Sequence, residues 1–311
     1  MTRVTGQLQA IVGPEGVSER APLGARTTFG VGGPADWLVE PRTVAALEAV
    51  LRLAASNDLP VTVLGEGSNV LVADAGVRGI VVRPRLGGIS ELMSGRVRAE
   101  AGVTINGLVR WLIGRGLAGL EAWAGTPGTV GGAVHGNAHY AGRNISEHIV
   151  DVGLLSSQGV LGIVPAGEMG FGYDTSRLFD TKEVVVWADV QVSAGEPDVM
   201  RAVARASLAH RKRTQPLHLP SAGCVFQNPD PVRDRVPVGI PWSAGALVDR
   251  AGLKGAASGG AMISATHANF IVTDKTATAA DIRRLIERAR EAVRRQFGVE
   301  LRDEIVYFGE W

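Results

Sequence analysis

A chain mixing helices and strands, α/β or α+β, is what three features of the sequence predict. Between glycine clusters the apolar pattern alternates between a helical and a strand-like period. The 41 glycines gather at Gly30–Gly33, Gly65–Gly79, Gly125–Gly136 and Gly252–Gly260, and such blocks mark loops that need positive φ or a close backbone approach. The 311 residues are enough for roughly two domains of about 150 residues each, large enough to fold without disulfide staples.

The elements follow in order. Thr43 is an N-cap for a helix with Leu47, Val50, Leu51 and Ala54 on one face,. That helix stops at Asp58-Leu59-Pro60, because the residue before a proline avoids the helical region, and Val61-Thr62-Val63-Leu64 reads as a buried strand,. Gly65-Glu66-Gly67-Ser68-Asn69 is a loop leading into a further apolar run, Val70-Leu71-Val72. Near the other end Thr278 and Asp281 have capping-box spacing,. Ile282, Leu285, Ile286, Ala289 and Val293 form the apolar face of that helix, arginines the wet face, and Gly298 the stop,.

Charge and cysteine content narrow the function classes. Lys+Arg total 32 against Asp+Glu 31, so no global field draws the chain to nucleic acid or to an anionic membrane. The single cysteine, Cys224, excludes an intrachain disulfide framework and an all-cysteine zinc site,. Met1–Arg20 has no apolar run of the kind a secretory signal needs,. The longest stretch without a formal charge, Ala122–Gly142, is full of Gly, His and Asn and reads poorly as a membrane span. The expectation is a cytoplasmic chain of unknown oligomeric state.

Two glycine loops carry the chemistry. Glycines at 65 and 67 remove the side chains that would shield backbone N–H groups, so the loop can cradle a pyrophosphate. It lacks the third glycine of the dinucleotide fingerprint, and a strand rather than a helix follows it. A tight glycine-rich hairpin explains it equally well. The second loop, Ala124-Gly125-Thr126-Pro127-Gly128-Thr129-Val130-Gly131-Gly132-Ala133, favours function over a mere turn, because each glycine adds conformational entropy that folding must overcome. Gly131-Gly132 admits a flat ring or another backbone at contact distance, and Asn137 follows as an amide able to read a ligand's edge. His135 and His139 have the i, i+4 spacing of a metal pair, but no Glu follows His135 and the segment is a poor helix former,. No metal is expected.

Taken together, the ordered motifs resemble the UDP-N-acetylenolpyruvoylglucosamine reductases, the MurB flavoenzymes of peptidoglycan synthesis. They are Thr27–Ala35, Leu64–Val72, Gly125–Ala133, Tyr173, Pro220–Pro229, Ala251–Gly255, His267–Val272 and Leu301–Ile305, within a match from about Leu23 to Gly309. The resemblance, closest to the shorter type II branch, implies an α+β fold. Its FAD-binding half has two subdomains of the vanillyl-alcohol-oxidase-like type, and a C-terminal α+β substrate domain follows. The implied division is residues 1–83 (with a C-terminal strand contributed), 84–213 and 214–311. The implied reaction is NADPH-dependent reduction of UDP-N-acetylglucosamine enolpyruvate to UDP-N-acetylmuramate through FAD. FAD would lie between the loops, at Gly65, Glu66, Gly67, Ser68, Asn69, Val70, Thr126, Pro127, Gly128, Thr129, Gly131, Gly132, Ala133 and Asn137.

The resemblance places catalysis at Cys224 and Glu304, and substrate binding at Tyr173, Arg177, Asn228 and Lys254. Cys224 stands where most of the family has a proton-donating serine, and a thiol, with an ordinary pKa of about 8.5, is a competent acid. Glu304 would position or help protonate the enolate. Asp174 stands where the family usually has arginine directly after the tyrosine, so either Arg177, oriented by Asp174, fills that place or turnover suffers; the plainer alternative is that Asp174 caps a turn and Arg177 faces solvent. Gln227 and Thr214 replace common lysines, and Arg211, Lys212 and Arg213 either bind the diphosphate or form a solvated helix end,. The alternatives are another FAD oxidoreductase on the same fold, or a flavin-binding homologue without turnover.

Overall fold

The computed structural model describes residues 3–311; Met1 and Thr2, the start of the first expected domain, lie outside the described residues. The chain forms two compact units. The first comprises residues up to Ala21, Ala35–Glu66 and Arg78–Ala209; the second comprises Pro22–Pro34, Gly67–Val77 and His210–Trp311. The chain therefore leaves the first unit between Glu66 and Gly67, inside the first glycine loop.

The first unit is built on two sheets. A four-stranded sheet has the order Val17–Pro22, Pro34–Val39, Val77–Val82, Val61–Val63, with the last pair parallel. Helix Val44–Ser56 covers it, and Thr43 Oγ1 accepts from Ala46 N at 3.1 Å as its cap,. Its buried residues are Leu47, Val50, Leu51 and Ala54, the face the 3.6-residue period predicts; burial of each large apolar side chain contributes about 1.5–3 kcal/mol. The strand expected to be buried, Val61–Val63, instead lies at the sheet edge with Val63 39% exposed. A short apolar run carries no signal for the difference between an edge and a centre.

The second sheet of this unit is antiparallel throughout, in the order Leu161–Pro165, Ile149–Leu155, Val184–Gln191, Arg96–Glu100, Ile89–Leu92. The strand at its centre, VVVWADVQ, is buried along all but its last residue. Its side chains divide between two cores. Val185, Ala188 and Val190 join Leu108, Leu112, Trp123 and Val134, while Val184, Val186 and Trp187 join the core beneath helix Val44–Ser56.

The second unit packs helix Ala279–Phe297 on a three-stranded antiparallel sheet, Ala257–Ser258, Ala261–Ile263 and Ile271–Thr273. The expected capping box is present. Asp281 N donates to Thr278 Oγ1 at 3.1 Å, and Thr278 N to Asp281 Oδ2 at 2.9 Å,. Gly298 ends the helix in the left-handed region, at φ 68°,. Strand Val306–Phe308 pairs in parallel with Val70–Val72, which ties the C-terminal segment to the residues following the first glycine loop. No helix among the described residues is long and apolar enough to cross a membrane.

Candidate active site

In the first unit the two glycine loops meet. Leu64 N donates to Val82 O at 2.9 Å, so the chain leaves strand Val61–Val63 already fixed in height. A Cβ at Gly65 would lie 2.9 Å from Thr129 Oγ1, closer than real Cβ contacts allow, so only glycine brings the two loops this near. Thr129 is itself the N-cap of the short helix Val130–His135, its Oγ1 accepting from Gly132 N at 3.2 Å. Asn106 clamps the approach to that helix: its Oδ1 accepts from Gly125 N at 2.6 Å, and its Nδ2 donates to Thr126 O at 3.1 Å. Gly131 N donates to Ala101 O, Pro127 lies in the turn between, and Ala133 is buried in the helix.

Several donors are left over. Among the described residues, the backbone N–H groups of Gly65, Glu66, Gly128 and Thr129 have no hydrogen-bond partner. Gly132 is exposed, and a Cβ there would meet only Thr129 Oγ1, at 3.6 Å. Unpaired main-chain donors beside a surface bare of side chains suit a diphosphate and the rim of a flat ring. These residues of the first unit fit FAD.

The segment after the helix is stitched to the turn Gly172–Thr175. Asn137 Nδ2 donates to Gly172 O at 2.7 Å, and its Oδ1 accepts from Ser146 N at 3.2 Å. With 2% of its surface exposed, Asn137 braces these two segments through both ends of its amide. Ser176 Oγ donates to His135 O at 2.6 Å, and the His135 and Phe179 rings lie 4.3 Å apart. Burial holds the His135 imidazole below its ordinary pKa.

Asp174 and Arg177 do not pair with each other in the structure. Asp174, in the left-handed region at φ 53°, places Oδ1 3.0 Å from His139 Nδ1. The His139 ring in turn lies 5.2 Å from the half-exposed ring of Tyr173. Arg177 turns the other way, with Nε 3.0 Å from Glu183 Oε2. Asp174 sits in a turn closed by Gly172 N donating to Thr175 O, with its carboxylate turned to His139.

In the second unit the loop continues under tighter constraint. Gly67 has φ 64°, and a Cβ there would lie 2.3 Å from Arg26 O; Thr28 N and Oγ1 both donate to Gly67 O, at 3.0 and 3.2 Å. Ser68 lies partly exposed between them and Asn69. Asn69 Nδ2 donates to Glu304 O at 3.0 Å, Val306 N donates to Asn69 O at 2.9 Å, and Val70 begins the pairing with Val306.

Cys224 and Glu304 are brought onto neighbouring segments. Glu304 N donates to Val225 O at 2.8 Å, and Phe226 pairs with Asp303. Asn269, buried, holds this junction with Nδ2 on Phe226 O at 2.8 Å and Oδ1 accepting from Phe226 N at 2.9 Å. Asn228 Oδ1 accepts from Ala244 N at 3.1 Å at the start of helix Ala244–Arg250. Lys254 Nζ pairs with Asp249 Oδ2 at 2.7 Å, a partly exposed ion pair. Of the three basic residues at the end of helix Pro197–Thr214, Lys212 and Arg213 are exposed and Arg211 is 6% exposed, so a solvated helix end describes only the first two.

No local pattern in the sequence singles out Asn106, Asn269 or Arg83 for a role. Asn106 and Asn269 each satisfy both a donor and an acceptor of a main-chain segment, and the only sequence signal is a lone amide in an apolar run.

Two family models match the chain, the UDP-N-acetylenolpyruvoylglucosamine reductase C-terminal domain over residues 215–308 and an FAD binding domain over residues 35–163. The UDP-N-acetylenolpyruvoylglucosamine reductase of Carboxydothermus hydrogenoformans is 37% identical over 296 residues, 94% of either chain. That of a Synechococcus species is 38% identical over 313 residues, covering 100% of this chain and 94% of its own. Among solved structures, UDP-N-acetylenolpyruvylglucosamine reductase (MurB) from Thermus caldophilus superposes with a TM-score of 0.77 at 32% identity, over 94% of this chain and 98% of that one. The fold class is therefore the expected one, an α+β FAD-binding part followed by a C-terminal α+β domain. On identity that runs the length of the chain, and on loops whose unpaired donors suit a flavin's diphosphate, the chain belongs to the UDP-N-acetylenolpyruvoylglucosamine reductase family.

Proposed function

We propose that the chain reduces UDP-N-acetylglucosamine enolpyruvate to UDP-N-acetylmuramate with NADPH as reductant, in the cytoplasm, as a step of peptidoglycan precursor synthesis. The observation that carries this reading is the meeting of Gly65 and Thr129, which sets the donors of two glycine loops side by side in a chain that matches this family end to end. FAD, when bound, supplies the hydride chemistry. The main chain of Gly65–Asn69 would hold its diphosphate, and Thr126–Ala133 its ring. We keep the division into residues 1–83, 84–213 and 214–311 as the functional one, the first two parts holding flavin and the third substrate.

The protein's own groups then have defined tasks. Hydride addition to C3 of the enolpyruvyl group places charge on C2 and its carboxylate, which needs donors while it lasts and a proton to end it. The Cys224 thiol delivers that proton to C2, and the Glu304 carboxyl orients the enolpyruvyl end. The Val225 O–Glu304 N hydrogen bond keeps their two segments in fixed register. Tyr173, Asn228 and Lys254 bind the nucleotide sugar. Arg177 keeps a part there only by leaving Glu183.

Asp174, engaged by His139 where the family usually has arginine, favours one second reading, a flavoprotein that keeps FAD without turnover. One anaerobic titration separates the two. The proposed reductase is yellow as purified, is bleached by one equivalent of NADPH and regains its colour on adding the enolpyruvyl substrate. Bleaching without recolouring would overturn the proposal and leave the second reading standing.

A further inference from the structure

One buried cation of the first unit has no task in the reaction above. Arg83 follows strand Val77–Val82 and is 8% exposed. Its guanidinium serves three acceptors: Nη1 lies 3.3 Å from Glu40 Oε1, Nη2 2.9 Å from Glu66 Oε1, and Nε 3.2 Å from Gly65 O. Glu40 is also approached by Arg85, at 3.9 Å. A rigid fork holding two carboxylates and a carbonyl fixes orientation as well as charge.

The Gly65 carbonyl is the informative acceptor. In a trans peptide the C=O and the following N–H point in opposite directions, and the chain has no cis peptide among its described residues. Turning Gly65 O onto Arg83 therefore turns the Glu66 N–H away from it, and that N–H donates to nothing among the described residues. Gly65 itself is required here, since a Cβ on it would lie 2.9 Å from Thr129 Oγ1. The same guanidinium draws the Glu66 carboxylate toward itself, keeping that negative charge with Arg83 rather than with the loop's free donors. A carboxylate left loose would repel a diphosphate.

We propose that Arg83 is a positioning residue for the anion site of the first glycine loop: it presets the Gly65–Glu66 peptide and holds the Glu66 charge aside, so that the loop meets a diphosphate with its donors already aimed. The inference rests on the assignment of FAD to this loop.

The test uses the full chain stripped of flavin and titrated with FAD and, in parallel, with riboflavin, which has no phosphate. Arg83→Met is expected to weaken FAD roughly ten- to hundredfold, the range for removing a charged hydrogen-bonding partner, and to leave riboflavin within threefold. Arg83→Lys, whose single ammonium cannot reproduce the fork, is expected to recover only part of the loss and carries the test if the methionine variant fails to fold. Equal weakening of both ligands, or unchanged affinity for both, would overturn the inference, since the first marks a purely structural residue and the second an idle one. If the unaltered chain binds no FAD, the loop assignment itself fails; if it binds FAD and the variants bind it as tightly, only the role of Arg83 fails.

Discussion

Two kinds of irregular segment in the first unit solve opposite problems. At Gly65–Glu66 and Gly128–Thr129 the side chains are absent or turned away and the main-chain donors stay unpaired, while a buried arginine and Asn106 grip the backbone from outside. At 135–139 and 172–177 the side chains are the grip. Asn137, Ser176 and Asp174 bind the opposite strand of chain. The first kind of segment is rigid with its donors free, which suits a ligand that arrives with negative charge. The second is rigid because its polar groups satisfy one another, which suits a wall. A polar residue in a conserved-looking motif is thus no guide to ligand contact until its partners are known.

The contrast can be broken at either end. Gly132→Asp should have the largest effect. Its Cβ would meet nothing closer than 3.6 Å, so the fold should survive, but the carboxylate would stand in the proposed flavin site, and the purified variant should be colourless with an unchanged circular dichroism spectrum. Gly67→Asp is the poorer probe, because φ 64° and the clash with Arg26 O should unfold the loop as well as empty it,. Next, Asn137→Ala should lower stability by about 1–3 kcal/mol, since it strands the Gly172 carbonyl and the Ser146 N–H, in chemical denaturation read with flavin removed. A loss of flavin without loss of stability would make Asn137 a reader after all.

The wall should also sense acid. Burial depresses the His135 pKa, so its contribution to stability is present above the unfolded value of about 6.5 and is lost as pH falls through that value toward the folded one. His148 and His267 shift in the same direction, each mainly by burial. The denaturation midpoint should therefore fall between pH 7 and 5, and His135→Phe should flatten part of that slope. The smallest effect is expected at Arg177. With its guanidinium on Glu183, Arg177→Met should change turnover less than tenfold; a collapse of the oxidative half-reaction would show that Arg177 leaves Glu183 during the reaction.

Local signals in the sequence were enough for some of this. Helices Val44–Ser56 and Ala279–Phe297 were readable with their caps and buried faces because everything that determines them lies within one or two turns. The edge position of Val61–Val63, the bracing of Asn137 by a carbonyl 35 residues away and the grip of Arg83 on Gly65 18 residues earlier depend on pairings that no local pattern encodes. The glycine loops were legible as unusual from their own residues, and as neighbours only through the family resemblance. Cys224 and Glu304 were legible only through family resemblance, since a lone cysteine and a carboxylate near a strand end are ordinary core and surface residues.

Rapid mixing of the Cys224→Ala variant tests most directly the proposed protonation of the enolpyruvyl C2 by Cys224. NADPH should reduce the bound flavin at the unaltered rate, reoxidation by UDP-N-acetylglucosamine enolpyruvate should slow by roughly 10²–10⁴, and Cys224→Ser should restore it. Reoxidation at the unaltered rate in the alanine variant would contradict the account and make Cys224 a packing residue.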